Sequence, residues 1–306
     1  RNLAIKENTA KAAAAAAGFP APTPAAGGMS ISGKAMLAGV IGWPVAHSRS
    51  PRLHNYWLSA YGLDGAYVPL AVKPESFVAA LRALPLLGFP GANVTLPHKA
   101  AALQLVDQAD DLARRIGAVN TIVIGADGSL HGRNTDAFGF MENLQQAAPA
   151  WRATSGPALV LGAGGGARAV IVALQDAGAP EIRVVNRNRA RAEQLASDVG
   201  GNIALPGWDQ MRAALADVTL LVNSTSLGMA GQPPLEIDLG PLPPTALVAD
   251  LVYAPLQTEL LRTAQRRGNV TVDGLGMLLH QARPGFEAWF GRAPEVTAAV
   301  RDFVLA

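Results

Sequence analysis

The 306-residue chain has no cysteine. That absence excludes disulfides, thiolate metal sites and cysteine nucleophiles, and it fits a reducing cytoplasm. Charged residues make up only 16% and aromatics 6%, with a formal net charge of +2. No long Lys/Arg run occurs, so nothing favours nucleic acid as a partner. No uninterrupted apolar run reaches the roughly 18–20 residues that span a bilayer, so no membrane partner is expected. His, Asp and Glu show no metal-ligand spacing, and no metal is expected. What is present is a 50% hydrophobic chain with 32 glycines, long enough for two cores.

Residues 1–34 read as a tail or extension outside the fold. Ala12–Ala17 is an alanine tract, followed by Pro/Gly/Ala-rich sequence through Gly28. Nothing there offers an amphipathic face to dock. From Ala35 onward, strand-like apolar runs alternate with helical stretches, which implies an α/β protein with mostly parallel sheets. Strands are expected at Met36–Ile41, Gly65–Val72 and Gly91–Thr95, with helices at Pro51–Tyr61, Ser76–Leu87 and Pro97–Val106. Asn120–Ile124 and Ser129–Gly132 form a hairpin across the turn sequence Ala126-Asp127-Gly128. A helix over Asp136–Gln146 leaves this first unit. A second unit begins near Gly156-Pro157. Its expected strands are Ala158–Leu161, Glu181–Asn186, Val218–Asn223 and Ala246–Leu251, and its helices Ala167–Ala177 and Arg189–Val199. A further helix runs from Gly276 to Phe290 after an Asp273-Gly274 turn.

Four stretches carry chemistry. Ser48 and Ser50 stand at the entrance of a helix that opens with Pro51. Serine caps free N–H groups there, proline suits the first turn, and the positive helix end welcomes a small carboxylate. Leu159 to Arg168 reads as a strand, a glycine turn and a helix start with the pattern Gly162-x-Gly164-x-x-Ala167. Gly162 permits the tight turn, Gly164 lets a pyrophosphate approach the backbone, and Ala167 allows close helix–strand packing. Ala163, Gly165 and Gly166 complete this cofactor loop. At the end of the next strand an NAD site usually carries Asp or Glu. This chain has Asn186-Arg187-Asn188, followed by Arg189 and Arg191. A guanidinium clamps a 2′-phosphate that a carboxylate would repel, so the predicted cofactor is NADP, held by Arg187 with Arg191 assisting. Last, Asn93-Val-Thr-Leu-Pro-His-Lys99 and Gly132-Arg-Asn-Thr-Asp136 each end a strand and present Asn93, Thr95, Lys99 and Asp136 at carboxyl edges. A lysine beside an aspartate can relay a proton while the partner holds charge and orientation.

Read together, these motifs resemble the shikimate dehydrogenase family. The resemblance runs from about Ala35 to the C-terminus. It rests on Gly42–Asn55, Asn93–Lys99, Gly117-Ala-Val-Asn-Thr121, Asn134-Thr-Asp136 and the glycine loop. It continues through Asn186-Arg187, Asn223-Ser-Thr-Ser-Leu-Gly-Met229, Asp250-Leu-Val-Tyr253 and Asp273-Gly-Leu-Gly-Met277 with Gln281.

The resemblance implies reversible NADPH-dependent reduction of 3-dehydroshikimate to shikimate, in the route to aromatic amino acids, by a cytoplasmic enzyme. It implies an N-terminal α/β substrate-binding domain over 35–136, completed by helices in 276–306. A Rossmann-type NADP-binding domain covers 137–275, with the active site in the cleft between them. Ser48 and Ser50 would bind the substrate carboxylate with Tyr253 nearby. Thr95, Lys99, Asn120, Asp136 and Gln281 would hold its hydroxyls and the reacting carbonyl. Lys99 is read as general acid in reduction and Asp136 as its orienter, although sequence leaves open which of the two transfers the proton. Leu251 and Gly274 match positions bordering the nicotinamide, and Asp111 lies where the family can have a carboxylate near the cofactor. A homodimer is allowed, with the oligomeric state open at this point. Ala137 and Arg133 depart from the family pattern. His47, His98 and His280 are read as packed or solvated, without catalysis, and Trp57, Phe140, Phe286 and Trp289 as core. The alternatives are a quinate/shikimate dehydrogenase and a shikimate-binding relative without catalysis.

Overall fold

The computed structural model describes residues 31–306. Most of the expected N-terminal extension lies outside these residues. Its last part does not stay outside the fold, because the Ser32 amide and hydroxyl both bond the Asp64 carboxylate, at 3.0 and 2.5 Å. The first half of the chain forms β1 (Met36–Gly42), α1 (Ser50–Ala60), β2 (Gly65–Ala71), α2 (Phe77–Ala83), β3 (Gly91–Val94), α3 (Lys99–Leu105), β4 (Gln108–Ala109), α4 (Asp111–Ile116), β5 (Thr121–Ile124) and β6 (Leu130–Arg133). The second half begins with α5 (Asp136–Ala147), β7 (Ala158–Leu161), α6 (Gly165–Asp176), β8 (Ile182–Val185), α7 (Arg189–Val199), β9 (Ile203–Ala204) and α8 (Met211–Leu215). It ends with β10 (Leu220–Asn223), β11 (Leu247–Asp250), α9 (Glu259–Arg266), β12 (Thr271–Val272), α10 (Gly274–Phe290) and α11 (Ala298–Leu305).

Two six-stranded sheets result. The first has the order β2-β1-β3-β5-β6-β4, and β5 runs antiparallel to both its neighbours. This sheet is therefore mixed, because the expected hairpin inserts beside β3. The second has the order β12-β11-β10-β7-β8-β9 and is parallel throughout. Its central strands β7, β10 and β11 are buried at every residue, as expected of a parallel sheet covered on both faces. The strand order reverses direction between β7 and β10, and open α/β sheets bind ligands beyond the carboxyl ends at such a point. The register places Leu161, Asn223 and Asp250 level at that edge.

The expected helix over Ser76–Leu87 is shorter. Two single 3₁₀ turns, Pro74–Ser76 and Pro85–Leu87, flank α2, since proline lacks the N–H that a continuing helix needs. Helix α10 starts at Gly274, two residues earlier than expected, because Asp273 is an N-cap whose carboxylate accepts the Leu275 N–H at 3.1 Å. From there α10 returns to the first sheet. Its Leu279, Phe286, Trp289 and Phe290 join Leu53, Trp57 and Tyr67 in one apolar cluster. Phe140 on α5 instead packs in the cluster covering the second sheet. The four aromatic side chains read as core are indeed buried. Among the described residues no helix is long and apolar enough to cross a membrane.

Candidate active site

Lys99 and Asp136 each open a helix, α3 and α5, directly beyond the carboxyl ends of β3 and β6. Thirty-seven residues apart in sequence, they meet as an ion pair with Lys99 Nζ 2.6 Å from Asp136 Oδ2. Their side chains are only 23% and 11% exposed, so water screens the pair less than it would a surface bridge. The other carboxylate oxygen accepts the Asn120 amide at 2.8 Å. Asn120 is itself oriented by the Thr135 backbone N–H, which donates to its Oδ1 at 2.9 Å. The Asn120 amide also lies 3.2 Å from Gln281 Oε1 on α10. Asn134 accepts the Asp136 N–H at 3.0 Å and donates to Ala118 O, which locks the start of α5.

These groups face a cavity of about 210 Å³. One wall carries His47, Ser48, Ser50, Asn93, Thr95 and Lys99; the other carries Leu251, Tyr253, Gly274, Met277, Leu278 and Gln281, with Asn120 and Asp136 between. Every residue expected to hold substrate therefore lines one space. Ser48 Oγ accepts the Ser50 N–H at 3.3 Å, which leaves the Ser48 proton free to donate. Burial pushes the Tyr253 phenol up, an effect opposed by the charge of Arg49. Asn93 accepts from the Tyr67 hydroxyl at 2.6 Å and donates to Asn120 O and Thr121 Oγ1. Sequence reasoning set Asn93 at the strand edge without giving it a role, read His47 as packed or solvated, named Met277 only within a motif, and did not single out Leu278; all four line the cavity. His98 and His280 are packed: His98 stacks on Phe77 and contacts Val72 O, and His280 contacts Gln146.

A buried carboxylate braces the second wall. Asp250 accepts from the Asn223 amide at 2.9 Å, the Val252 N–H at 3.0 Å and the Thr258 hydroxyl at 2.7 Å. It is 1% exposed with no cation bonded to it, and burial pushes it up to about 6. The three donors fix the turn that carries Leu251 and Tyr253.

The glycine turn lies beyond β7. Gly162 has φ +107°, and a Cβ there would stand 2.8 Å from Ser224 Oγ, so both conformation and space demand glycine. At Gly164 and Gly165 a Cβ would meet nothing within 4 Å. The protein's own packing therefore does not require glycine at these two positions, whereas a ligand approaching the backbone does. Gly166 faces Leu251, and Ala167 is fully buried against the sheet; Ala163 packs at the cluster's edge. A second cavity of about 120 Å³ is lined by Gly162, Asn186, Arg187, Trp208, Thr225 and Ser226, among others. Arg189 is engaged with Glu193, while Asn188 caps α7 by accepting the Arg191 N–H at 3.1 Å. Among the described residues the Arg187 and Arg191 side chains have no ion pair; Arg191 sits on the first turn of α7, outside the cavity lining. Trp208 carried no sequence signal, since its single 3₁₀ turn matches no motif.

Asp111 does not belong to either cavity. Its side chain is 99% exposed and pairs with Arg114 at 3.4 Å. The cap of α4 is the preceding Asp110, which accepts the Ala113 N–H, so Asp111 falls on the solvent side of the first turn.

Three family models match the chain: the shikimate dehydrogenase substrate binding domain over residues 40–122, shikimate / quinate 5-dehydrogenase over 145–229, and the shikimate 5′-dehydrogenase C-terminal domain over 274–302. A shikimate dehydrogenase (NADP(+)) of Paramagnetospirillum magneticum is 61% identical over 276 residues, covering 90% of this chain and 100% of that protein. Among solved structures, the Thermus thermophilus shikimate 5-dehydrogenase in complex with NADP(H) and shikimate is 37% identical, with TM-score 0.79 over 88% of this chain and 98% of that one. The quinate dehydrogenase of Corynebacterium glutamicum in complex with NAD is 32% identical, with TM-score 0.82 over 89% and 99%. Matched along nearly all of its described length, the chain belongs to the shikimate dehydrogenase family.

Proposed function

We propose that this protein is an NADP-dependent shikimate dehydrogenase, an oxidoreductase that reversibly reduces 3-dehydroshikimate to shikimate. The observation that carries this reading is the Lys99–Asp136 pair, 2.6 Å apart, in a cavity that also holds Ser48, Ser50 and Tyr253. A polyhydroxylated acid needs many neutral donors and acceptors, and leaving any unpaired penalises a wrong substrate. Ser48, Ser50 and Tyr253 take the carboxylate; Asn93, Thr95, Asn120 and Gln281 take the hydroxyls.

The residues around the glycine turn fit a dinucleotide, because Gly164 and Gly165 leave their backbone open and Arg187 has a free guanidinium beside the second cavity. Gly162–Ala167 would hold the pyrophosphate, Asn186, Arg187 and Arg191 the 2′-phosphate end, and Leu251 and Gly274 the nicotinamide side. When bound, NADPH supplies the hydride. Negative charge then develops on the substrate's carbonyl oxygen, and Lys99 Nζ delivers the proton that neutralises it. Asp136 holds the ammonium in place, and Asn120 holds Asp136. In the oxidative direction Lys99 takes the proton back. Residues 35–136 with 276–306 form the substrate unit and residues 137–275 the nucleotide unit. The cytoplasm is the proposed location, supported by the absence of cysteine.

The test is a spectrophotometric panel of shikimate and quinate against NADP and NAD, with Lys99→Ala alongside the parent. Shikimate with NADP is expected to be the preferred pair. Lys99→Ala is expected to lower kcat by about 100-fold or more with little change in substrate KM. Preference for quinate with NAD, or unchanged turnover in the variant, would reject the corresponding assignment.

A further inference from the structure

Arg49 stands between the two serines, yet it does not line the cavity. Its Nη1 donates to the backbone carbonyls of Val304 at 2.7 Å and Leu305 at 3.3 Å, in the last turn of α11. Arg52, on the first turn of α1, donates to Phe303 O at 2.6 Å and lies over the Phe303 ring. Two arginines beside the substrate loop thus take three successive carbonyls at a helix C-terminus. Such carbonyls have few helical partners and carry partial negative charge, so cations are stabilising there.

About one turn earlier, α11 reaches the other wall. Arg301, in its first half, pairs with the Asp273 carboxylate. Asp273 caps α10 and precedes Gly274, which lines the cavity. The Asn143 amide holds Asp273 from the side of α5, donating to its carbonyl at 2.7 Å. On the same helix Val300 and Val304 are buried in the cluster that contains Leu53 and Tyr56 of α1. The helix has eight residues, so it spans about 12 Å.

We infer that α11 is a strap joining the two walls of the cavity, and that Arg49 and Arg301 are positioning residues for the reaction proposed above, on which the inference rests. The loop from Trp43 to Arg49 has neither strand nor helix to set its place. Ser50 opens α1, but the location of the Ser48 hydroxyl depends on a small number of tethers, of which the adjacent Arg49 is one. Hydrogen bonds to a carboxylate weaken steeply with misalignment, so a loop displaced by a fraction of an ångström loses substrate affinity. Neither arginine lines the cavity, although the charge of Arg49 reaches the Tyr253 phenol that does. Arg49 acts through the α11 carbonyls it binds, and Arg301 through the Asp273 carboxylate.

Arg49→Met, Arg301→Met and the double variant test this, with Arg49→Lys as the conservative control. Arg49→Met is expected to raise the KM for shikimate by about tenfold while the KM for NADP stays within about twofold. Arg49→Lys should recover most of that loss, because an ammonium still reaches a helix C-terminus. Arg301→Met should act in the same direction, and the double variant should be no worse than Arg49→Met, since both residues act through the same helix. An unchanged KM for shikimate, an equal rise for NADP, or independent multiplication of the two single effects would overturn the inference. If Arg49→Met does not fold, Arg49→Lys and Arg301→Gln supply the same comparison of the two KM values. A parent protein without shikimate-dependent NADP reduction would reject the proposed function instead, which keeps the two failures apart.

Discussion

In the proposed reading, nucleotide choice turns on Arg187. It follows β8, where a carboxylate would select NAD, and its guanidinium is unpaired among the described residues while Arg189 is spent on Glu193. An unpaired exposed guanidinium costs little in the free protein and gains charge-assisted bonds to a dianion. Arg187→Ala should weaken NADP by roughly 10- to 100-fold, at 1.5–3 kcal/mol for bonds to a charged group. NAD should change by less than about threefold in KM, as the 2′-phosphate is the group lost to recognition. Equal weakening of both nucleotides in steady-state assays would remove Arg187 from the clamp. Lys99 and Asp136 were legible because each follows a strand end with a recognisable local pattern. That Asp110 rather than Asp111 caps α4 was not legible, because it depends on backbone angles that the Asp-Asp pair does not reveal.

The strand ends are the elements that carry the second wall, and Asp250 joins β10, β11 and the start of α9. Its donors are all neutral, so desolvation outweighs them and its folded value of about 6 exceeds the ordinary 3.8. A carboxyl with a raised pKa binds its proton more tightly in the native state than in the unfolded chain. The native state is therefore favoured by this group below about pH 4, and the advantage is lost as pH rises to about 6. The gap of two units corresponds to about 3 kcal/mol. Asp250→Asn keeps an acceptor for Asn223 and Val252 but has no charge to desolvate. Its thermal midpoint relative to the parent should be more favourable at pH 7.5 than at pH 5. A pH-independent difference would show that Asp250 does not titrate in this window. Other carboxylates, such as Asp198 and Asp217, are lowered by their arginine partners, but they are common to both proteins and cancel. At this scale the long apolar strands were readable, whereas β4 and β9, at two residues each, were not. A two-residue strand exists only because a neighbour pairs with it. Helix α9 was missed although Thr258 caps it, since the Pro- and Gln-containing sequence before it hides the start.

Across the whole molecule, the two sheets meet through α5 and α10, and glycine lets these helices approach. A Cβ at Gly139 would stand 2.6 Å from Gln281 Cβ and 2.8 Å from Met277 O, and one at Gly276 would collide with the Asn143 side chain. Gln281 and Met277 both line the cavity. Gly139→Ala should therefore cost about 1–3 kcal/mol of stability by overpacking. It should also lower kcat/KM for shikimate, because α10 must shift and carry Gln281 with it. Normal activity together with a normal thermal midpoint would show that the helices separate without strain.

The sequence by itself determined the repertoire: a glycine turn after a buried strand, arginines in place of an acid, serines at a helix entrance, a lysine and an aspartate at strand ends. Each of these is a short-range matter of backbone angles, caps and period, which neighbouring residues dictate. Only the tertiary structure decided that Lys99 and Asp136 lie 2.6 Å apart, that Asp111 faces solvent, that Trp208 lines the second cavity beside Arg187 and that α11 contacts both walls. Those are distances between segments far apart in the chain, and they are set by how two sheets and the helices between them pack, which no local pattern encodes.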